Sequence, residues 1–393
     1  MRITPAQELE KRAQKLQALM QKEGIDGAII LQNADLIYLA GTCQQSHLFI
    51  PAQGSPVLMV KKDLARARRE STLQNIIPFD SLKELPGLLK TQGQGDMKRI
   101  GLELDVLPAA QYLRYVKILA PAEIVDISHL VRTVRSVKSQ YELNILQEAA
   151  QQAGALFARV PELLREGMTE LELAGQLEAF YRKLGHQSLV RTHAFNMETI
   201  FGHLMSGSSL AVPSFLASPT GGEGIGPAYP QSAGFKSIQR NEPVMLDYVG
   251  IVDGYIVDLT RIFCMGSLPG KMLEAHQTAL EIQSSLMEAG KPGVSCVELF
   301  DLAWQKARAS GYGEHFMGLN EPVPFIGHGV GLELDELPVI ARGVKTPLEE
   351  GTVLALEPKF IFPEGAVGIE NTFVVTRKGL ERISVFQEDI IFV

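Results

Sequence analysis

Cysteine is scarce in this 393-residue chain: three residues, Cys43, Cys264 and Cys296, odd in number and without CxxC spacing. That excludes a disulfide-stapled scaffold and reads as reduced, structural thiols of a cytosolic protein. Positive charge is also in short supply. Thirty-seven Lys and Arg face 45 Asp and Glu, a formal net charge of −8 with no basic stripe. Non-specific binding to nucleic acid or to an anionic membrane is therefore not expected. No apolar run approaches the ~20 residues that cross a bilayer. Residues 1–5 lead into an amphipathic helix without a charged-then-apolar leader, so the expectation is a soluble, cytoplasmic protein. The glycines of 206–233 fit neither GxGxxG nor a phosphate-binding loop, which discounts a nucleotide site.

What is present is ordinary globular composition, 46% hydrophobic and 21% charged, over a length that suggests two domains. Residues 5–23 carry Leu and Ala at helical spacing and stop at Gly24. Short apolar runs at 27–31, 47–51, 56–60, 75–79, 99–102 and 123–126 alternate with helical stretches at 62–72, 81–91 and 108–119. This alternation predicts a compact α/β domain over 1–135. Nothing in it has catalytic spacing, and His47 and His129 read as ordinary surface or packing histidines. The basic, polar stretch with Arg132, Arg135 and Lys138 marks the boundary. A second domain, 136–393, opens with helices at 141–165 and 169–184, the latter with a capping box from Thr169 to Glu172. It continues through an irregular Gly/Pro/Ser-rich stretch at 206–233, which reads as a lid or a mobile loop. Helices at 271–289 and 295–310 follow between two β-hairpins, giving an α+β domain with helices on one side of an antiparallel sheet.

Those hairpins hold the chemistry. Runs 243–252 and 255–263 flank Asp253-Gly254, a strong hairpin signal. Asp247 and Asp258 lie one on each run with their midpoint at the turn, so they are expected to oppose each other about 4.5–5.5 Å apart. Runs 354–362 and 367–375 flank Pro363-Glu364-Gly365, and Glu357 and Glu370 bracket that turn in the same way. Facing carboxylates in apolar sequence are costly unless a cation lies between them. His328, in the loop-like IGHGVGLELDELP between glycines that would let backbone approach an ion, supplies a fifth group. Such a set could hold two divalent ions about 3.5–4 Å apart.

DYVGIVDGYIVDLTRIF, GHGVGLELDELP, ALEPKF and GIEN resemble, in order and spacing, the signatures of the pita-bread metallopeptidases. These are methionine aminopeptidase, Xaa-Pro aminopeptidase and prolidase, with creatinase a metal-free relative. NADLIYLAGT and RTVRSVKSQYEL resemble the creatinase-type domain that precedes the catalytic domain in proline-specific members. The resemblance implies a creatinase-type amino-terminal domain followed by a pita-bread catalytic domain. It implies that Asp247 binds one metal, that Asp258 and Glu370 bridge both, and that His328 and Glu357 bind the second. Glu357 and His328 are then also the catalytic pair, with Glu357 placed to take the proton of a hydroxide held between the ions. Oxygen-rich ligation favours Mn²⁺ over Zn²⁺, Co²⁺ or Fe²⁺, and a homodimer is expected by analogy.

The substrate shell departs from that pattern. The position 17 residues before the first Asp is Pro230 rather than histidine, and that seven after the metal histidine is Asp335. The arginine position two before the last Glu is Gly368, and Asn371 stands where an Asp is expected. His193 and His203 either replace the missing histidines or are plain loop residues, and Asp335 could meet a cationic group on the substrate. Three functions follow: a dinuclear hydrolase of short, Xaa-Pro-like peptides; a metal-dependent enzyme on a non-peptide small molecule; or a silent pita-bread module that binds a partner.

Overall fold

The structure, a computed structural model, describes residues 2–92 and 97–393; Met1, where the leaderless start was read, lies outside them. The chain forms two compact units, Met1–Arg135 and Ser136–Val393.

The first unit is built on a six-stranded mixed sheet. In sheet order its strands are Asn75–Pro78, Val57–Val60, Ser46–Pro51, Gly27–Ile30, Arg99–Leu102 and Glu123–Asp126. The hairpin of Ser46–Pro51 and Val57–Val60 is antiparallel, while Gly27–Ile30 pairs in parallel with Arg99–Leu102. Helix Ala6–Glu23 buries Leu9, Ala13, Leu16 and Met20 at helical spacing and ends on Gly24 in the left-handed conformation, as its sequence dictates. The polar boundary stretch is not a linker. It forms helix Ser128–Ser136, in which Val131 and Val134 are buried and Arg135 Nη1 meets Asp35 Oδ1 at 2.7 Å. An ion pair one hundred residues apart in sequence leaves no local signal.

The second unit lays its long helices against antiparallel sheet. Helices Gly270–Ala289 and Cys296–Ala309 share one core, to which the first contributes Met272, Ala275, Ala279, Ile282 and Leu286, a repeat of threes and fours. Capping boxes at Ser139–Glu142, Thr169–Glu172 and Ser295–Glu298 start three of the helices. Opposite lie a four-stranded sheet containing Gly202–Ser206, Val244–Tyr248 and Thr260–Cys264, and a five-stranded sheet containing Phe325–Gly329, Val353–Leu356 and Asn371–Thr376. Among the described residues no helix is long and apolar enough to cross a membrane. Cys264 and Cys296 are buried, with their thiols pushed up to about 11 by burial; Cys43 is exposed rather than structural.

Candidate metal centre and cavity

The first hairpin turns on two residues, Asp253 and Gly254, both with positive φ (48° and 87°), as a type I′ turn requires. Val252 therefore pairs with Tyr255, and the ladder carries Asp247 opposite Thr260. Asp247 and Asp258 are not directly opposed, as the sequence suggested. They are offset by two residues, which makes them diagonal neighbours on the same face. The second hairpin follows its sequence. Leu356 pairs with Asn371 and Lys359 with Gly368, which sets Glu357 against Glu370 between them. Thr260 joins the two hairpins through an isolated bridge to Glu370, and its Oγ1 donates to Glu370 Oε2 at 2.8 Å.

His328 is not on a loop. It lies in strand Phe325–Gly329, paired with Ala355 on one side and Val339 on the other. The flanking Gly329 serves strand packing rather than an ion, because a Cβ there would meet Leu337 O at 2.1 Å. His328 Nδ1 lies 3.0 Å from Gly329 O. Donation of its N–H to that carbonyl leaves the Nε2 lone pair facing the cluster, the orientation a metal ligand needs. Nε2 is 3.9 Å from Asp258 Oδ2 and 4.0 Å from Glu357 Oε1. Ligand atoms of Asp258, His328 and Glu370 all lie within 4.8 Å of one another. Glu370 Oε1 is buried with no hydrogen-bond partner, an orphaned acceptor of the kind a metal ion satisfies. This donor set fits a divalent ion.

At the centre stands a residue that the sequence reading passed over. Lys359 Nζ lies 3.0 Å from Asp247 Oδ2, 2.9 Å from Glu357 Oε2 and 2.9 Å from Glu370 Oε2. Its side chain is 1% exposed. The signal was available: Lys359 is two residues past Glu357, and alternate residues of a strand share a face. Burial by itself would lower the Lys359 pKa, but Asp247, Glu357 and Glu370 outweigh it and hold the ammonium charged. Burial, then the charges of Glu370 and Asp247, push Asp258 well above the usual carboxylate range. Glu370 is raised to about 7, chiefly by burial, with Lys359 opposing the rise. With all four carboxylates ionised, one ammonium would leave three negative charges, which a further cation would relieve.

The cluster opens into a cavity of about 240 Å³ whose walls include Val190, Leu216, Val249, Phe325, Leu334 and Val339. The irregular 206–233 stretch thus supplies part of a wall. His203 is no loop histidine. It lies on strand Gly202–Ser206 beside Asp247, lines the cavity, and has Nε2 3.4 Å from Gln231 Oε1. Burial holds its pKa below the ordinary value, which favours the neutral ring. His193 turns its ring toward Glu333, 3.4 Å away. Asp335 lines the cavity, but its oxygens accept the backbone N–H groups of His193 and Ala194 at 2.6 and 2.8 Å. Asn371 bonds to Arg261, Gln283 and Glu388.

Two antiparallel hairpins carrying acids, with one imidazole on a neighbouring strand, in a chain that also has an α/β unit, define a class of metal-dependent peptidases. The chain belongs to metallopeptidase family M24, whose model matches residues 144–377; a creatinase/prolidase N-terminal domain matches residues 12–137. M24 proteins bind divalent metals. Over 386 residues the chain is 28% identical to an Xaa-Pro dipeptidase of Pyrococcus horikoshii, covering 98% of this chain and 99% of that one. Among solved structures it is similar to an Xaa-Pro dipeptidase from Bacillus anthracis (TM-score 0.83, 27% identity, 98% of this chain and 100% of that one). It is also similar to the prolidase from Pyrococcus horikoshii (TM-score 0.79, 27% identity, 97% and 100%).

Proposed function

We propose that this chain hydrolyses the amide bond of a short peptide, an Xaa-Pro-like dipeptide first among candidates, at the acidic cluster. The observation that carries the proposal is the convergence of four carboxylates, three of them buried, and one half-buried imidazole at the foot of an apolar-walled cavity. Anions in such a place are costly without a bound cation. A divalent ion held by Asp258, His328 and Glu370 would polarise the scissile carbonyl and acidify a water molecule. The chain's own groups do the rest. Glu357 has Oε2 fixed by Lys359 while Oε1 faces His328, so it is the base best placed to take a proton in the cavity. His203, neutral and beside Asp247, is suited to hold the substrate carbonyl. The apolar walls suit a pyrrolidine ring, and a volume below the ~300–1,000 Å³ of pockets for drug-sized ligands limits the substrate to a small one.

Oxygen-dominated donors favour Mn²⁺. Kinship with the family supports a cytoplasmic homodimer. The test is metal analysis followed by a panel of Xaa-Pro and other dipeptides with Mn²⁺ supplied. Asp258→Asn is expected to lose bound metal and to lower turnover about a thousandfold, roughly 4 kcal/mol of barrier. Full activity in that variant, or a metal-loaded protein inert on every dipeptide, would overturn the proposal.

A further inference from the structure

An ammonium has three N–H donors and no acceptor. In Lys359 all three are taken by carboxylates drawn from both hairpins: Asp247, Glu357 and Glu370. A hard cation linking those three oxygens would have to stand where Nζ already stands. On the other side of Glu370 the donors are differently disposed. Asp258 Oδ2, the His328 Nε2 lone pair and the orphaned Glu370 Oε1 remain for a separate ion.

We propose that the Lys359 ammonium is a built-in replacement for one cation of the cluster, leaving a single divalent-ion site formed by Asp258, His328 and Glu370. This rests on the hydrolase reading above and narrows it. Glu370 remains the bridge, with Oε2 on the ammonium and Oε1 toward the ion. The charges agree: four carboxylates, one ammonium and one divalent ion leave a single negative charge. A second divalent ion would instead press against the ammonium. The replacement is one of charge only. With every N–H engaged, Lys359 offers no donor to the substrate and no open coordination position. One Lewis acid therefore serves the reaction, and a second contact to the scissile carbonyl has to come from a side chain such as His203.

The experiment counts ions. Full-length protein is stripped with a chelator and saturated with Mn²⁺. Bound manganese per chain is then measured by elemental analysis, and the electron paramagnetic resonance spectrum is recorded. Wild type is expected to hold one ion with the six-line spectrum of isolated Mn²⁺. Lys359→Ala is expected to hold two, with the multiline spectrum of a coupled pair. Two ions or a coupled spectrum in wild type overturn the proposal and leave the hydrolase reading standing; so does a count of one in both proteins. No bound manganese in either protein sinks the metal reading, and this inference with it. Should Lys359→Ala fail to fold, Lys359→Met, which keeps the stem without the charge, takes its place in the same count and spectrum.

Discussion

Replacing Arg261 with methionine should destabilise the second unit far more than its distance from solvent chemistry suggests. The guanidinium is 1% exposed and uses all five of its N–H groups. Nε donates to Gln387 O, Nη1 to Thr260 O and Glu370 O at 2.8 and 2.9 Å, and Nη2 to Asn371 Oδ1 and Phe386 O at 2.8 and 3.1 Å. Charge-assisted bonds contribute about 1.5–3 kcal/mol each, roughly 8–15 kcal/mol for five. Against this, burial lowers the Arg261 pKa to about 9, a charge-burial cost that methionine would relieve. With that relief, local relaxation and entering water, the expected loss is about 3–5 kcal/mol, the usual cost of breaking a buried charged network. At about 2–4 °C per kcal/mol for a unit of this size, Tm should fall by roughly 6–20 °C. The assay is urea unfolding followed by the fluorescence of Trp304. It is the chain's single tryptophan and sits in helix Cys296–Ala309, so the signal reports the unit concerned. A loss below about 1 kcal/mol would refute the accounting. Arg261→Lys keeps the charge but offers three donors for five acceptors, so it should fall between wild type and the methionine variant.

Two further outcomes follow from other groups. Thr260→Val removes the hydroxyl that donates to Glu370 Oε2 and should weaken Mn²⁺ binding about 10–100-fold, as loss of a ligand's supporting hydrogen bond does; calorimetric titration would read it, and unchanged affinity would count against Glu370 as a ligand. His47 is half-buried beside Tyr115, and burial, then Lys61, lowers its pKa from 6.5 to about 4. Because the unfolded chain binds the extra proton first, the first unit should lose stability as pH falls from about 6.5 toward 4, by up to about 1.4 kcal/mol per pH unit. Melting curves across that window should be flatter for His47→Gln, and parallel curves would refute the assignment.

The two hairpins were legible because turn composition fixes where a ladder folds back. For Glu357 and Glu370 the arithmetic holds. For Asp247 and Asp258 it slips by two residues, because the type I′ turn centres between Asp253 and Gly254. Strand membership of His328 and His203 was hidden by glycines, which resemble loop punctuation but here permit close strand packing. Lys359 was overlooked for a different reason. A lysine in LALEPKFIF reads as an edge residue unless its parity with Glu357 is checked, and its three partners come from positions up to 112 residues away. The helix at Ser128–Ser136 was missed because Arg135 looks solvated until Asp35 is placed beside it.

Lys359 and Gly368 stand across the ladder from each other. A Cβ at 368 would come within 2.5 Å of Pro358 O and 2.6 Å of Lys359 Cα, so the clash is with the backbone of the opposite arm, whatever side chain stands at 359. A side chain at 368 would push the two arms apart and carry the Lys359 ammonium off the three carboxylates it bonds. A missing side chain on one arm thereby sets the reach of the charge on the other.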